Sequence, residues 1–481
     1  MNIFIHHRDL RIVDNTTLIE QNKNEDNVTP IFIFTPEQIN PKKNEYFSNA
    51  SVQFMIESLH ELSEDIKNKK GKLYFFCGDN LKVLKKIHKE IGINSIGYNI
   101  DYTPYAKKRD AEIREWCINK NIKLYEKEDY VLYNILEGQT LKKDSTPYQV
   151  FTPFKNFCLQ NLKVTEVNKF NKFNFMKNSK FKKIKYTISE KEIDEFYVDN
   201  PDINVHGGRS NGLKILNNID EFKNYQKDRD MLTYKTTFLG AHNHFTTVSI
   251  REVYYKFLDK LGKTSGLINE LHWRDFYINI SHYFPHILNG QIGKKNKSFR
   301  EKYDNIEWFN NNNWFNNNNN NNWLKFTKGE TGFPIIDAGI RQLLKKNFVH
   351  NRVRMIHGNF VTKDLHIDWR EGEKFYSNNL VDYDAMVNNN SWQWCAGSGT
   401  DAQPYFRIFN PWTQLKTYDP DLIYVKEFIP ELKDVPNKDI LNWWKPEIHE
   451  KWLNEGIKYF KPMLDHTIES KNAIKMYKKV V

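Results

Sequence analysis

The chain has 481 residues, is 39% hydrophobic and 15% aromatic, and carries a formal net charge of +11. That length allows two to four domains with ample core, while a mean hydropathy of -0.72 and the lack of any apolar run near 18 residues exclude a helical membrane protein. The positive balance favours a polyanionic partner such as nucleic acid, although the lysine and asparagine of an AT-rich genome would give the same balance. Residues 1–130 alternate short apolar runs with amphipathic segments. Strands are expected at 2–6, 30–34, 72–77, 95–99 and 122–125, with helices at 52–67 and 80–90 between them. This alternation predicts an α/β unit with a doubly wound parallel sheet. No GxGxxG follows the first strand, so dinucleotide binding of that kind is not expected there.

The pattern breaks down over 131–200, which is read as an interdomain linker. Its Lys–Phe segment, KFNKFNFMKNSKFKKIKYT, fits a nucleic-acid-binding tail or a basic linker laying its phenylalanines on the protein. Its place between two patterned regions favours the linker. From 201 to 481 helical periods dominate, for instance at 248–260, 266–283 and 335–346, predicting an all-α domain. An asparagine-rich tract at 310–322 interrupts it and is read as a flexible surface loop without a catalytic role. Cys77, Cys117, Cys158 and Cys395 form no CxxC pair, so neither a disulfide framework nor a zinc site is expected. The N-terminus has no signal-peptide pattern, and an intracellular, soluble protein is expected.

The segment from Asn388 to Pro411, NNNSWQWCAGSGTDAQPYFRIFNP, packs two tryptophans, two glycines, an acid and an arginine into a span that fits neither a plain core helix nor a plain loop. Trp392 and Trp394 are two apart and must point in different directions. INELHWRDFYINI places Glu270, Trp273 and Arg274 on adjoining faces of one helix. An amphipathic helix explains the arginine but not the Glu–Trp pair. HNRVRMIHGNF, the motif beginning at His350, and the segment from Leu365 to Pro411, with Asp382 and Asp384 around Tyr383, complete the set.

Together with the opening HHRDLRIVDNTTL, these motifs resemble the photolyase/cryptochrome family, closest to class I cyclobutane pyrimidine dimer photolyases. The resemblance covers nearly the whole chain and is most specific in the second half. It implies an α/β antenna-type domain and a helical domain that binds FAD, active in its reduced form, beside a cavity for UV-damaged DNA. The cofactor-binding residues it implies are Tyr225, Thr236, Thr237, Leu239, Gly240, Arg354, Asp382, Tyr383, Asp384 and Asn388. Gly240 stands where the family usually has serine. Arg354 is expected to pair with Asp382, Asp384 to meet the ribityl or ring edge, and Asn388 to face the redox-active ring nitrogen. The opening motif is expected to be architectural, joining the α/β domain to the rest.

For the lesion, the resemblance implies Glu270, Trp273, Asn388, Trp394 and Met355 as catalytic residues. Arg229, Glu270, Trp273, Arg274, Asn351, Arg352, Trp394, Arg407 and Gln414 are expected to bind DNA. An extruded dinucleotide has to recover stacking on an aromatic plane and pairing on polar groups, which is what Trp273 and Glu270 offer. Trp392, Trp369 and Trp308 match a tryptophan relay to the flavin, with Trp314 or Trp323 competing for the outer position. Asn351 and Met355, where (6-4) enzymes carry histidines, favour dimer repair over (6-4) repair. The alternative is a signalling cryptochrome. A second chromophore is expected to be a deazaflavin, or absent, rather than folate, because Ala106 stands where folate-binding members place a carboxylate. No metal, membrane or obligate protein partner is expected, and the chain is read as a monomer.

Overall fold

The computed structural model describes residues 1–177, 179–309 and 319–481. A six-stranded sheet runs in the order β5-β4-β1-β2-β3-β6. The strands are β1 (Asn2–His6), β2 (Val28–Phe34), β3 (Tyr74–Cys77), β4 (Ser95–Asn99), β5 (Lys123–Lys127) and β6 (Thr187–Ile188). The first five are mutually parallel and β6 adds an antiparallel edge to β3. β1 and β2 are buried at every position. Ile3, Ile5, Ile31 and Ile33 project to one face, Phe4, Phe32 and Phe34 to the other, and helices cover both. The doubly wound expectation therefore holds. The helices expected at 52–67 and 80–90 are Asn49–Asn68, capped by Ser48, and Asn80–Ile91, capped by Asp79.

The segment after β5 holds more order than its sequence pattern conveys. Phe151–Asn161 is a helix that buries Phe151, Phe154 and Cys158 on one stripe. In the Lys–Phe segment, Phe175 and Phe181 are buried against the sheet while the neighbouring lysines stay exposed. The tract at 310–322 lies largely outside the described residues, as does Trp314; within it, Asn319 opens the helix Asn319–Lys328.

The helical region centres on Ala385–Ala396, which packs on Gly266–Tyr283, Asn351–Lys363 and Trp369–Asn379. Two glycines permit this close approach. A Cβ at Gly358 would sit 2.8 Å from Cys395 Cβ, and one at Gly372 would sit 2.2 Å from Trp392 ring carbons.

The opening motif joins the two regions, as expected. Arg11, fully buried, donates to Asp129 and to Thr246, while Arg251 reaches Asp14 at 2.8 Å and Asp129 at 2.9 Å. Against the burial that would raise it, the two guanidiniums hold the Asp129 carboxyl well below the usual range. Each charge in this network has an opposite partner, the condition for tolerating buried ions.

Candidate active site

Three neighbouring helices each leave a stripe of half-buried or exposed residues beside a largely buried remainder. Gly266–Tyr283 leaves Asn269, Glu270 and Trp273 half-buried; Asn351–Lys363 leaves Asn351, Arg352, Arg354 and Met355; Ala385–Ala396 leaves Val387, Asn388, Ser391 and Trp394. The positions recur at three- and four-residue intervals, so each set is a single helix face. Ala385–Ala396 packs on both other helices, and the adjacent Arg229 and Asp230 pair with Glu270 and Arg352, so the three open stripes belong to neighbouring elements. Trp392, two residues from Trp394, is turned into the core.

On the first wall, Trp273 stacks on Phe151 with ring centroids 3.6 Å apart and planes 8° from parallel. Glu270 pairs with Arg229, and about a third of each side chain remains exposed. Burial pushes the Glu270 carboxyl up while Arg229 pulls it back. On the second wall, Arg352 pairs with Asp230 at 2.8 Å and lies over the Tyr418 ring. Asn351 donates to Met355 Sδ at 3.7 Å. His350 caps this helix, its Nδ1 accepting from Arg352 N–H. Burial pulls its pKa down to about 4, so the imidazole is neutral at pH 7. Arg407 is exposed on the loop after Trp394, and Gln414 is half-buried.

Arg274 departs from its expected role as a DNA contact. Its guanidinium donates to the Tyr130 carbonyl at 2.6 Å and the Asn243 carbonyl at 3.4 Å and pairs with Asp275. It is a cross-tie between segments.

The FAD set is brought together in part. Arg354 donates to both Asp382 oxygens at 3.0–3.1 Å. A Cβ at Gly240 would lie 2.7 Å from Asp382 Oδ2, so the missing serine side chain makes room for that carboxylate. Thr236 and Thr237 are half-exposed, and Leu239 is buried as the N-cap. The helix they precede, Gly240–His244, has only five residues. Its dipole is correspondingly small, so the hydroxyls rather than a helix terminus are the donors available to a phosphate. Tyr225 is half-buried beside Arg229.

Asp384 is more constrained than the sequence implies. Its Oδ1 caps Ala385–Ala396 through Met386 and Val387 N–H, and its Oδ2 accepts from Arg8 at 3.1 Å and His244 at 3.0 Å. With four donors on one carboxylate, Asp384 positions the helix, and no lone pair is left to meet a ribityl chain or ring edge. These donors hold it far below the usual carboxylate range despite its burial. Asn388, one turn on, donates its Nδ2 to the Glu373 carbonyl at 3.1 Å.

These residues fit a bound FAD. Among the described residues, the buried Asn243 Oδ1, Asn269 Oδ1 and Tyr234 hydroxyl have no protein partner, and Asn269 lies on the open stripe of Gly266–Tyr283. Unpaired polar atoms at such depth call for a ligand or water.

The three tryptophans expected to form a relay are all buried: Trp392 at 4%, Trp369 at 1% and Trp308 at 5% exposure. Trp392 meets Tyr376 edge-on at 5.2 Å, Arg370 lies 4.5 Å over Trp369, and Trp308 meets Tyr477 edge-on at 5.9 Å. Trp323, the alternative, is only partly buried and packs on Phe326 and Phe375.

Residues 2–172 match the family described as DNA photolyase, and residues 267–479 match the FAD binding domain of DNA photolyase. The deoxyribodipyrimidine photo-lyase of Halobacterium salinarum is 30% identical over 500 aligned positions, covering 100% of this chain and 99% of the relative. The chain belongs to the DNA photolyase family. A second photolyase relative, from Alkalihalophilus pseudofirmus, is 32% identical, covering 98% of this chain and 96% of its own. Among solved structures, an archaeal photolyase from Sulfolobus tokodaii is 33% identical with a TM-score of 0.85, covering 100% of both chains. A class III photolyase from Agrobacterium tumefaciens is 27% identical with a TM-score of 0.86, covering 99% of this chain and 97% of that one. The photolyase assignment makes the chain an FAD-dependent enzyme of DNA repair. No described helix is long and apolar enough to cross a membrane.

Sequence reasoning missed four residues of this photolyase site. Phe151 backs Trp273, Arg8 and His244 clamp Asp384, and Glu373 holds Asn388 and Asn389. The signal for Phe151 was present: Pro153 in a first turn, with Phe151, Phe154 and Cys158 at helical spacing. Nothing local marks the other three.

Proposed function

We propose that this photolyase repairs cyclobutane pyrimidine dimers in DNA by light-driven electron transfer. The observation that supports the reading is that Glu270 and Trp273, Met355, and Asn388 and Trp394 are left uncovered on three helices, the last of which packs on the other two. Reduced FAD supplies, on absorbing blue light, the electron that splitting a cyclobutane ring requires. The chain's own residues do the rest. Arg407 and Asn351, both exposed, are placed to take phosphate, and Arg352 joins them by exchanging Asp230 for the backbone. Trp273 and Trp394 offer planes for the flipped dimer, whose unstacking is cheap because damage has already weakened its pairing. Glu270, oriented by Arg229, accepts from the pyrimidine edge and steadies charge that develops there. Arg354 with Asp382 and Asn388 hold the cofactor, with Thr236 and Thr237 on its phosphates. Trp392, Trp369 and Trp308 would conduct electrons from an external reductant, such as a thiol, to the cofactor when it is oxidised.

The same stripes argue against (6-4) repair, which needs a histidine acid. Positions 351 and 355 are Asn and Met, and His350 is a neutral helix cap. For a second chromophore, Ala106 is a buried alanine on Pro104–Asn119 where folate binding calls for a carboxylate, which favours a deazaflavin, or no second chromophore, over folate. The solved Sulfolobus tokodaii relative contains two FAD molecules.

The test is illumination of FAD-loaded, chemically reduced protein with oligonucleotides carrying either a cyclobutane dimer or a (6-4) photoproduct. Restoration of the dimer strand alone is expected. Repair of the (6-4) strand, or no repair of either by fully reduced protein, would replace this reading with a (6-4) enzyme or a signalling cryptochrome.

A further inference from the structure

We propose that Phe151 is a positioning residue for substrate: a fixed back plate that holds the Trp273 indole flat for stacking by the lesion. The inference rests on the reading of Trp273 as the lesion platform. Phe151 is buried, Trp273 is half-buried, and their rings lie nearly parallel at 3.6 Å. Phe276 and Tyr277 close on the indole at 5.8 and 5.5 Å. With one face covered at van der Waals distance, the exposed area of Trp273 belongs to its opposite face and free edge.

The back plate is itself anchored, and the anchor lies about 250 residues along the chain. Phe151 N–H donates to Asp401 Oδ2 at 3.1 Å, and Thr400 Oγ1 donates to the Gln149 carbonyl at 2.7 Å. Asp401 and Thr400 belong to the loop that follows Trp394, and Asp401 is held at φ +48°. The ring is further held edge-on by Phe276 at 5.8 Å, and the Lys155 ammonium lies 5.7 Å from its centroid. Phe151 therefore ties the plane of Trp273 to the loop that follows the helix carrying Trp394.

The consequence is energetic pre-organisation. An indole on a half-open helix face otherwise samples several rotamers, and binding has to freeze them. Freezing one such side chain in advance corresponds to roughly three- to tenfold in affinity. Phe151→Leu keeps apolar volume but removes the plane, and Phe151→Met does the same with a different shape. Phe151→Tyr keeps the plane.

The experiment uses the FAD-loaded full chain. Affinity for a dimer-containing oligonucleotide is read in the dark by fluorescence anisotropy, with flavin absorbance per chain and repair per photon at saturating DNA as parallel readouts. Phe151→Leu and Phe151→Met are expected to weaken binding about fivefold, with repair per photon at saturation unchanged and Phe151→Tyr restoring affinity. In a Trp273→Ala background, Phe151→Leu should add less than a twofold loss, because the plate then has nothing to hold. Unchanged binding by Phe151→Leu, an undiminished loss in the Trp273→Ala background, or loss of FAD from both Leu and Met variants would overturn the proposal. If Trp273→Ala itself binds dimer DNA unchanged, the platform reading falls and the proposal with it; if Trp273→Ala binds weakly and Phe151→Leu normally, the proposal falls alone.

Discussion

Gly372→Ala sets two terms of opposite sign against each other. Gly372 is a buried position inside the helix Trp369–Asn379, without a positive φ. On an open helix face the substitution would stabilise by about 1 kcal/mol, since alanine loses less backbone entropy. Here the added methyl lands 2.2 Å from Trp392 Cη2 and Cζ3 and 2.9 Å from Cε3. The obstacle is a buried indole, not the end of a flexible chain. Tyr376 meets it edge-on at 5.2 Å, and the Gly358 position, beside Cys395, lies on the other helix at its side. Relief therefore needs Trp392 or a helix to move, and such overpacking costs about 1–3 kcal/mol. A clash this deep belongs at the upper end, so the net expectation is a loss of about 2 kcal/mol. Denaturant unfolding of the FAD-loaded protein reads it as a lower midpoint at unchanged slope. A variant as stable as the parent, or more so, would refute the reasoning.

Other outcomes follow from single side chains. Glu373 is 1% exposed and burial pushes its carboxyl up to about 7, against an unfolded value near 4.5. Between those values the folded chain holds a proton that the unfolded chain has lost, so stability falls as pH rises from 4.5 through 7, by an amount on the order of 3 kcal/mol. Glu373→Gln is expected to flatten that slope in denaturation midpoints taken from pH 5 to 8. Lys363 is also 1% exposed, with its ammonium over the Tyr477 ring and donating to the Ala396 carbonyl. Burial pulls its pKa well down, so the unfolded chain binds the extra proton and stability rises with pH up to the unfolded value near 10.5. Lys363→Met should remove that rise and leave the protein at least as stable at pH 7. Trp392→Phe should slow light-driven reduction of bound oxidised flavin by a thiol at least about tenfold, while chemically reduced protein repairs dimers as before. Slow repair by the pre-reduced variant would place Trp392 outside a relay.

What the sequence determined by itself is what local periodicity and motif identity encode. Alternating Ile and Phe on β1 and β2 can be buried on both faces only if helices cover both, so the doubly wound sheet followed from the pattern. Glu270 and Trp273 are about one turn apart, and Asn388 and Trp394 are about two, bridged by Ser391, so one open stripe carries each pair wherever that helix goes. Tertiary structure alone decided what depends on distant segments. Arg274 looks as free as Arg352 in sequence, yet its guanidinium is engaged by the Tyr130 carbonyl, 144 residues away, by the Asn243 carbonyl and by Asp275. Asp384 reads as a ligand until Arg8, 376 residues away, and His244 fill its second oxygen. Phe151 gains its meaning from Trp273 and Asp401. Helix period is written into every few residues, but which donor meets which acceptor across more than a hundred is set only when burial forces each polar group to find a partner.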